Sequence, residues 1–179
     1  MEQILVKKGY HGHKVFLSIN EETNEIFYTL RFDYLNVNLS YVKKDVHELF
    51  ATPDISGIIL EFSTMYMKNI EEICEIIESY KKKYQHIKII KVKFEEIEIA
   101  DMNEIPDMIL SDNNISELQF RDCIFGIYNE NVLYQKNKNL EEVSIRDCSC
   151  SGYIPKQEVR KGFMAGIMDT VWSYAGLVR

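Results

Sequence analysis

The chain has 179 residues, enough for one domain with a sizeable core. Its 46% apolar and 12% aromatic content excludes a disordered tail, and its net charge of −7, with acids and bases well mixed, argues against a nucleic-acid partner, which needs a basic patch. There is no apolar run of about 18 residues, and Met1 to Lys8 lacks the apolar stretch of an export signal; the expectation is a soluble cytoplasmic protein without membrane contact, its four cysteines reduced.

Taken in order, residues 1–39 read as an N-terminal β cap. Val15, Leu17 and Ile19 alternate with polar residues, as do Ile26, Tyr28, Leu30 and Phe32, and the polar stretch Asn20 to Asn24 lies between them. This predicts a β-hairpin, with a third short strand over Leu35 to Leu39. Such a cap covers a sheet edge that otherwise invites aggregation. Ser40 to Ala51 then predicts a helix with Val42, Val46, Leu49 and Phe50 on one face, stopped by Pro53. A strand over Gly57 to Phe62 is followed by a helix from Asn69 to Tyr84. Ile70, Ile73, Cys74, Ile77, Tyr80 and Tyr84 form its apolar face, and Asn69 with Glu72 suggests a capping box. With a strand over 88–94 this is a β-α-β unit, expected to be parallel with a right-handed crossover.

Further on, Pro106 limits Asp101 to Leu110 to a short helix near 106–110, and Tyr128 to Lys136 predicts a weak one. Asp112 to Asn114 and Asn137 to Asn139 lead into two further strands. Those strands carry a repeat. Ile115 to Cys123 (ISELQFRDC) and Leu140 to Cys148 (LEEVSIRDC) are apolar at positions 1, 4 and 6 and share the ending Arg-Asp-Cys. Ile87 to Val92 and Ile55 to Leu60 fit the apolar part, with Glu95 and Ser63 at position 9. Starts at 55, 87, 115 and 140 are 32, 28 and 25 residues apart, room for a strand, a turn, a helix and a return. Positions 4 and 6 point inward and 3, 5, 7 and 8 outward. The outward residues therefore form rows, one reading Glu61, Lys93, Arg121, Arg146 and the next Phe62, Phe94, Asp122, Asp147. After Cys148, Ser151-Gly152 suggests a turn. Lys156 to Ala175 suggests a C-terminal capping helix with Val159, Phe163, Ile167, Val171 and Tyr174 on one face.

This pattern resembles the leucine-rich-repeat superfamily, specifically its short ribonuclease-inhibitor-like members, over residues 55–148. The resemblance implies an α/β fold: a right-handed βα solenoid with a parallel sheet, strands on the concave side and helices on the convex side. One domain spans 1–179: a β cap over 1–39, repeat-like βα units over 40–150 and a helical cap over 151–179. It implies a non-catalytic protein-protein interaction module, without cofactor or metal, binding another protein through Glu61, Lys91, Lys93, Gln119, Arg121, Asp122, Ser144, Arg146 and Asp147 on the concave face. The bias toward Ile, Lys, Asn and Tyr suggests a low-GC microbial source. By analogy, the partner of a small acidic protein of that kind is a toxin and its role that of an immunity or inhibitor protein. The chain also resembles, less closely, the STAS-like anti-sigma-antagonist domain, which implies a phosphorylated switch at Ser63 or Thr64.

Catalytic signals are thin. His11 and His13 are an H-x-H pair, read as a polar turn before a strand rather than a metal site. Cys148 and Cys150 are too closely spaced for a usual zinc pair. No Walker A loop, Gly-rich dinucleotide loop or H-E-x-x-H is present.

Overall fold

The computed structural model describes residues 3–8, 13–20, 23, 25–33, 37–53 and 55–153. They form a mixed α/β fold built on a mostly parallel sheet. In chain order the elements are β1 (Gln3–Lys8), β2 (His13–Asn20), β3 (Glu25–Asp33), α1 (Leu39–Phe50), β4 (Gly57–Ser63), α2 (Met67–Lys83), β5 (Ile89–Glu95), β6 (Glu98–Asp101), a 3-10 turn (Met102–Glu104), α3 (Asp107–Ser111), β7 (Glu117–Arg121), β8 (Ile124–Tyr128), α4 (Glu130–Lys136), β9 (Glu142–Arg146) and β10 (Ser149–Tyr153). The large sheet runs β1-β2-β3-β4-β5-β7-β9, and a second sheet runs β10-β8-β6. The hairpin β2-β3 pairs antiparallel, as its alternation predicts, and every pairing from β3 to β9 is parallel. The strands at 57–62, 88–94, 117–121 and 142–146 are thus neighbours in chain order. The predicted C-terminal helix lies outside the described residues.

The register shows what repeats. Leu60, Val92, Leu118 and Val143 lie side by side, and so do Phe62, Phe94, Phe120 and Ile145. β3 joins the same rows through Leu30 and Phe32. The repeats at β4 and β5 are therefore phased two residues later than the sequence pattern suggests. Two residues is one full strand period, so the alternation within each strand is kept while the side chains move one row along, and the residues read at position 8, Phe62 and Phe94, become position 6 and turn inward. Position 9 becomes Met65 and Ile97, both buried, instead of Ser63 and Glu95.

The second row is an aromatic ladder. Successive ring centroids from Phe32 through Phe62 and Phe94 to Phe120 lie 5.4, 5.8 and 5.2 Å apart, with interplanar angles of 16°, 26° and 6°. All four rings are essentially inaccessible to solvent. Phe62 and Phe94, expected on the outward surface, instead fill the core. α1 buries Val42, Val46, Leu49 and Phe50, and α2 buries Ile70, Ile73, Cys74 and Ile77, the faces their helical spacing predicts.

At position 8 of each turn the chain leaves the large sheet. Thr64, Glu96, Asp122 and Asp147 all take a left-handed conformation there, with φ of 52° to 54°. None is glycine, and the β-branched Thr64 bears the most strain. In the first three the turn is held because the position-8 amide continues the parallel ladder: Thr64 N donates to Glu95 O, Glu96 N to Arg121 O and Asp122 N to Arg146 O, each at 3.0 Å. From this corner β6, β8 and β10 form the second sheet, which the sequence reading did not anticipate. Ser151-Gly152 lies within β10 and is not a turn.

Gly126 in β8 sits so close to β6 that a Cβ would lie 2.4 Å from the Ala100 carbonyl oxygen. Backbone has no rotamer with which to give way, so Gly126→Ala is expected to destabilise the fold by about 1–3 kcal/mol, read as a lower denaturant midpoint. A neutral result would show that the two strands separate easily.

Two local expectations change at helix starts. Asn38, predicted as part of a third strand, is the N-cap of α1, its side chain accepting from Ser40 N at 3.0 Å. α2 begins at Met67 without a side-chain cap, so Asn69 and Glu72 lie inside the helix and form no capping box at its start.

Candidate functional site

The face of the large sheet opposite the aromatic ladder is polar. Two rows cross it. Position 5 reads Arg31, Glu61, Lys93, Gln119, Ser144, and position 7 reads Asp33, Ser63, Glu95, Arg121, Arg146. The rows expected from sequence mixed these two. Glu61 and Lys93 belong beside Gln119 and Ser144, while Arg121 and Arg146 follow Ser63 and Glu95. Lys91 lies one row further from the corner, level with Glu117. Asp122 and Asp147 share no row with the phenylalanines; they occupy the left-handed corner itself and are exposed.

Charges on this face are paired from the hairpin toward the middle. Lys14 Nζ and Arg31 Nε hold the Asp33 carboxylate at 2.7 and 2.6 Å. Arg31 also reaches Glu95 at 3.2 Å and Glu61 at 3.8 Å, and Lys93 closes on Glu61 at 2.5 Å. Lys91 pairs with Glu117 at 2.6 Å, and Gln119 Nε2 donates to the same carboxylate at 2.5 Å. Gly57 sits under Ile90, a bulged residue between the two paired stretches of β4 and β5.

Burial would raise the Asp33 pKa, but the hydrogen bonds from Arg31 and Lys14 outweigh it and hold the carboxyl below its ordinary value. A depressed folded-state pKa contributes stability that is present above the unfolded value and lost as pH falls through the folded one. Asp33→Asn is therefore expected to lower the urea midpoint at neutral pH, and the gap from the parent should close below pH ~4. A gap independent of pH would assign the loss to packing instead.

Pairing thins toward β9. Arg121 is 65% exposed, with Glu95 and Asp122 each at 3.3 Å. Arg146 is exposed, and among the described residues no carboxylate lies within ion-pairing distance of it. The two arginines are register partners on adjacent strands, so their side chains leave the sheet side by side. A shallow groove of about 300 Å³ runs along both rows, walled by Arg31, Glu61 and Lys93 at one end and by Arg121, Ser144 and Arg146 at the other. Ser63 and Ser144 form part of its wall and are nearly covered by their longer neighbours. The groove thus joins neutralised ion pairs to a basic end, suited to an anionic group with two acceptor oxygens.

Of the nine residues expected to bind a partner, Glu61, Lys93, Gln119, Arg121, Ser144 and Arg146 line the groove; Lys91, Asp122 and Asp147 do not. The sequence reading missed Arg31, Asp33 and Glu95. The first two lay in the N-terminal region read as a cap, where no binding residue was singled out, and the two-residue phase placed Glu95 at the turn.

The other chemical candidates fall elsewhere. His11 lies outside the described residues. His13 is not in a polar turn: it opens β2 with 2% exposure, its Nε2 2.5 Å from Asp45 Oδ2 on α1 and its ring tilted against Phe32. Its Nδ1 is buried and finds no hydrogen-bond partner among the described residues. Among the described residues no three metal-ligating side chains converge, and no helix is long and apolar enough to cross a membrane. Thr64 is exposed, its hydroxyl 3.0 Å from Glu96, while Ser63 is buried beside it. Compared with known protein families, curated sequences and solved structures, the chain finds no match.

Proposed function

We propose that this chain is a short leucine-rich-repeat-like βα solenoid acting as a non-catalytic protein-binding module, and that its polar sheet face receives an acidic surface of the partner. The observation that carries this reading is the arginine pair: Arg121 and Arg146 stand adjacent and exposed at the end of a row whose other charges are paired. Two like charges side by side on a sheet repel, so the pair is spent on the fold only at a loss. A partner carboxylate can bridge both guanidiniums with paired hydrogen bonds. In-register rows over five parallel strands and a left-handed residue at the same position of four turns support the solenoid reading. A cytoplasmic inhibitor or immunity protein facing a toxin is the biological setting we propose for it.

The STAS-like alternative needs a phosphate at Ser63 or Thr64. At Thr64 that phosphate would meet the Glu96 carboxylate, and at Ser63 it would have to enter a covered site, so the geometry does not favour it.

The test is a random-peptide display selection on the immobilised chain. The expected result is enrichment of peptides with paired Asp or Glu whose binding weakens with added salt. Sequences enriched without acidic residues, or none enriched, would move the binding surface off this face.

A further inference from the structure

Cys123 and Cys148 occupy position 9 of successive turns. They lie between two in-register parallel pairs, Arg121 with Arg146 before them and Ile124 with Ser149 after them. Adjacent strands lie about 4.8 Å apart, within the Cα separation of about 4.4–6.8 Å that a disulfide spans. The two residues touch, since Cys123 N donates to Cys148 Sγ at 3.3 Å. Both are free thiols here, and they differ in setting: Cys123 is buried and Cys148 half-buried. Position 9 faces inward, which predicts both thiols buried and inert; Cys148 does pack against the core but is only partly covered.

We propose that Cys123 and Cys148 form an oxidisable dithiol, which a peroxide converts to an intramolecular disulfide tying the last two turns of the parallel sheet together. Cys148 is the attacking sulfur. It is reachable from solvent, and the hydrogen bonds it accepts from the Cys123 thiol and amide favour its thiolate, setting its pKa below the ordinary thiol value. The same contact holds the proton on Cys123, whose pKa is pushed up by that bond and by burial. The Cys148 thiolate attacks one peroxide oxygen. An S–O bond forms, the O–O bond breaks, and the leaving hydroxide takes up a proton as water. The peroxide is reduced by two electrons and Cys148 becomes a sulfenic acid. The Cys123 sulfur then attacks the Cys148 sulfur. An S–S bond forms, the S–O bond breaks, and the departing hydroxide leaves as water with the Cys123 proton. Two thiols and one peroxide thus give one disulfide and two waters.

Each sulfur also contacts the carbonyl of the arginine two residues before it, Cys123 to Arg121 O at 3.3 Å and Cys148 to Arg146 O at 3.2 Å. Oxidation therefore acts next to the basic end of the groove, although the proposal does not depend on that groove's role.

The test treats the reduced full-length chain with a small excess of hydrogen peroxide, followed by intact-mass and peptide mapping without reductant. The expected result is a monomer lighter by two hydrogens, a linked peptide joining Cys123 to Cys148, and full reversal by dithiothreitol. Cys150→Ser should form the same link. Cys123→Ser should lose it and instead leave Cys148 as a sulfenic acid that dimedone traps. A Cys148–Cys150 link, an intermolecular disulfide through Cys150, or a gain of oxygen at Cys148 with no link in the parent chain would overturn the proposal. Should Cys123→Ser fail to fold, the parent and Cys150→Ser maps decide it alone.

Discussion

Phe94→Ala is expected to destabilise the fold by about 3–5 kcal/mol. Phe94 lies in the middle of the aromatic ladder, with Phe62 on one side at 5.8 Å and Phe120 on the other at 5.2 Å, and no part of it is exposed. Truncation removes the burial of a whole ring and leaves a cavity that rigid neighbours on two strands cannot collapse into. It also breaks two offset ring contacts, each worth about 0.5–1.5 kcal/mol beyond burial. Phe94→Leu keeps most of the volume and should cost less than half as much. Phe32→Ala should fall below Phe94→Ala, because Phe32 stacks on one ladder ring, Phe62, and meets His13 only at a tilt. The measurement is the guanidinium midpoint at constant slope. A loss under about 1 kcal/mol for Phe94→Ala would show that the sheet closes over the gap.

The ladder also shows how far the sequence could be read. Alternation told which residues face inward, and it was right for Leu60, Val92, Leu118 and Phe120 alike. It could not tell which turn of the period aligns with which, because a shift of two residues leaves the alternation unchanged. The missing signal was at position 9. In the observed register, positions 4, 6 and 9 read Leu60, Phe62, Met65; Val92, Phe94, Ile97; Leu118, Phe120, Cys123; and Val143, Ile145, Cys148. Fitting that three-point spacing in place of I-x-x-I-x-I aligns all four turns and sends Phe62 and Phe94 to the core. A second signal lies in the polar stretches before β7 and β9. Asp112 and Asn137 stand three residues before Ile115 and Leu140, and each accepts from the amide two residues on, at 3.1 and 2.9 Å. Asn137, 1% exposed, also donates to the carbonyls of Asp112 and Ile115, so it ties one turn to the previous one. β6, β8 and β10 were not legible because each is four or five residues long and follows its partner strand after a corner residue that is not glycine.

Replacing both arginines, Arg121→Ala with Arg146→Ala, is expected to leave the fold as stable as the parent or slightly more so while weakening binding of acidic peptides by at least tenfold. The stability half follows from exposure and register. Arg121 is 65% exposed, so its pairs with Glu95 and Asp122 are screened by solvent and contribute little. Arg146 has no carboxylate partner among the described residues, and the two cations repel across adjacent strands. Removing both deletes a repulsion and two weak pairs, a change expected within about 0.5 kcal/mol of zero. The binding half follows from the groove. An arginine desolvated at the centre of an interface carries about 2 kcal/mol or more, so losing two that share one carboxylate exceeds the tenfold threshold of about 1.4 kcal/mol. Replacing both with lysine separates charge from shape. It keeps the salt dependence but loses the planar fork, and should recover only part of the affinity. A binding titration on the peptide-selected ligand, with a melting curve for each variant, reads both halves. Full recovery by lysine would reduce the site to a patch of charge. Unchanged affinity in the alanine pair, with an unchanged melt, would place recognition at the Arg31, Glu61 and Lys93 end of the groove or on another face.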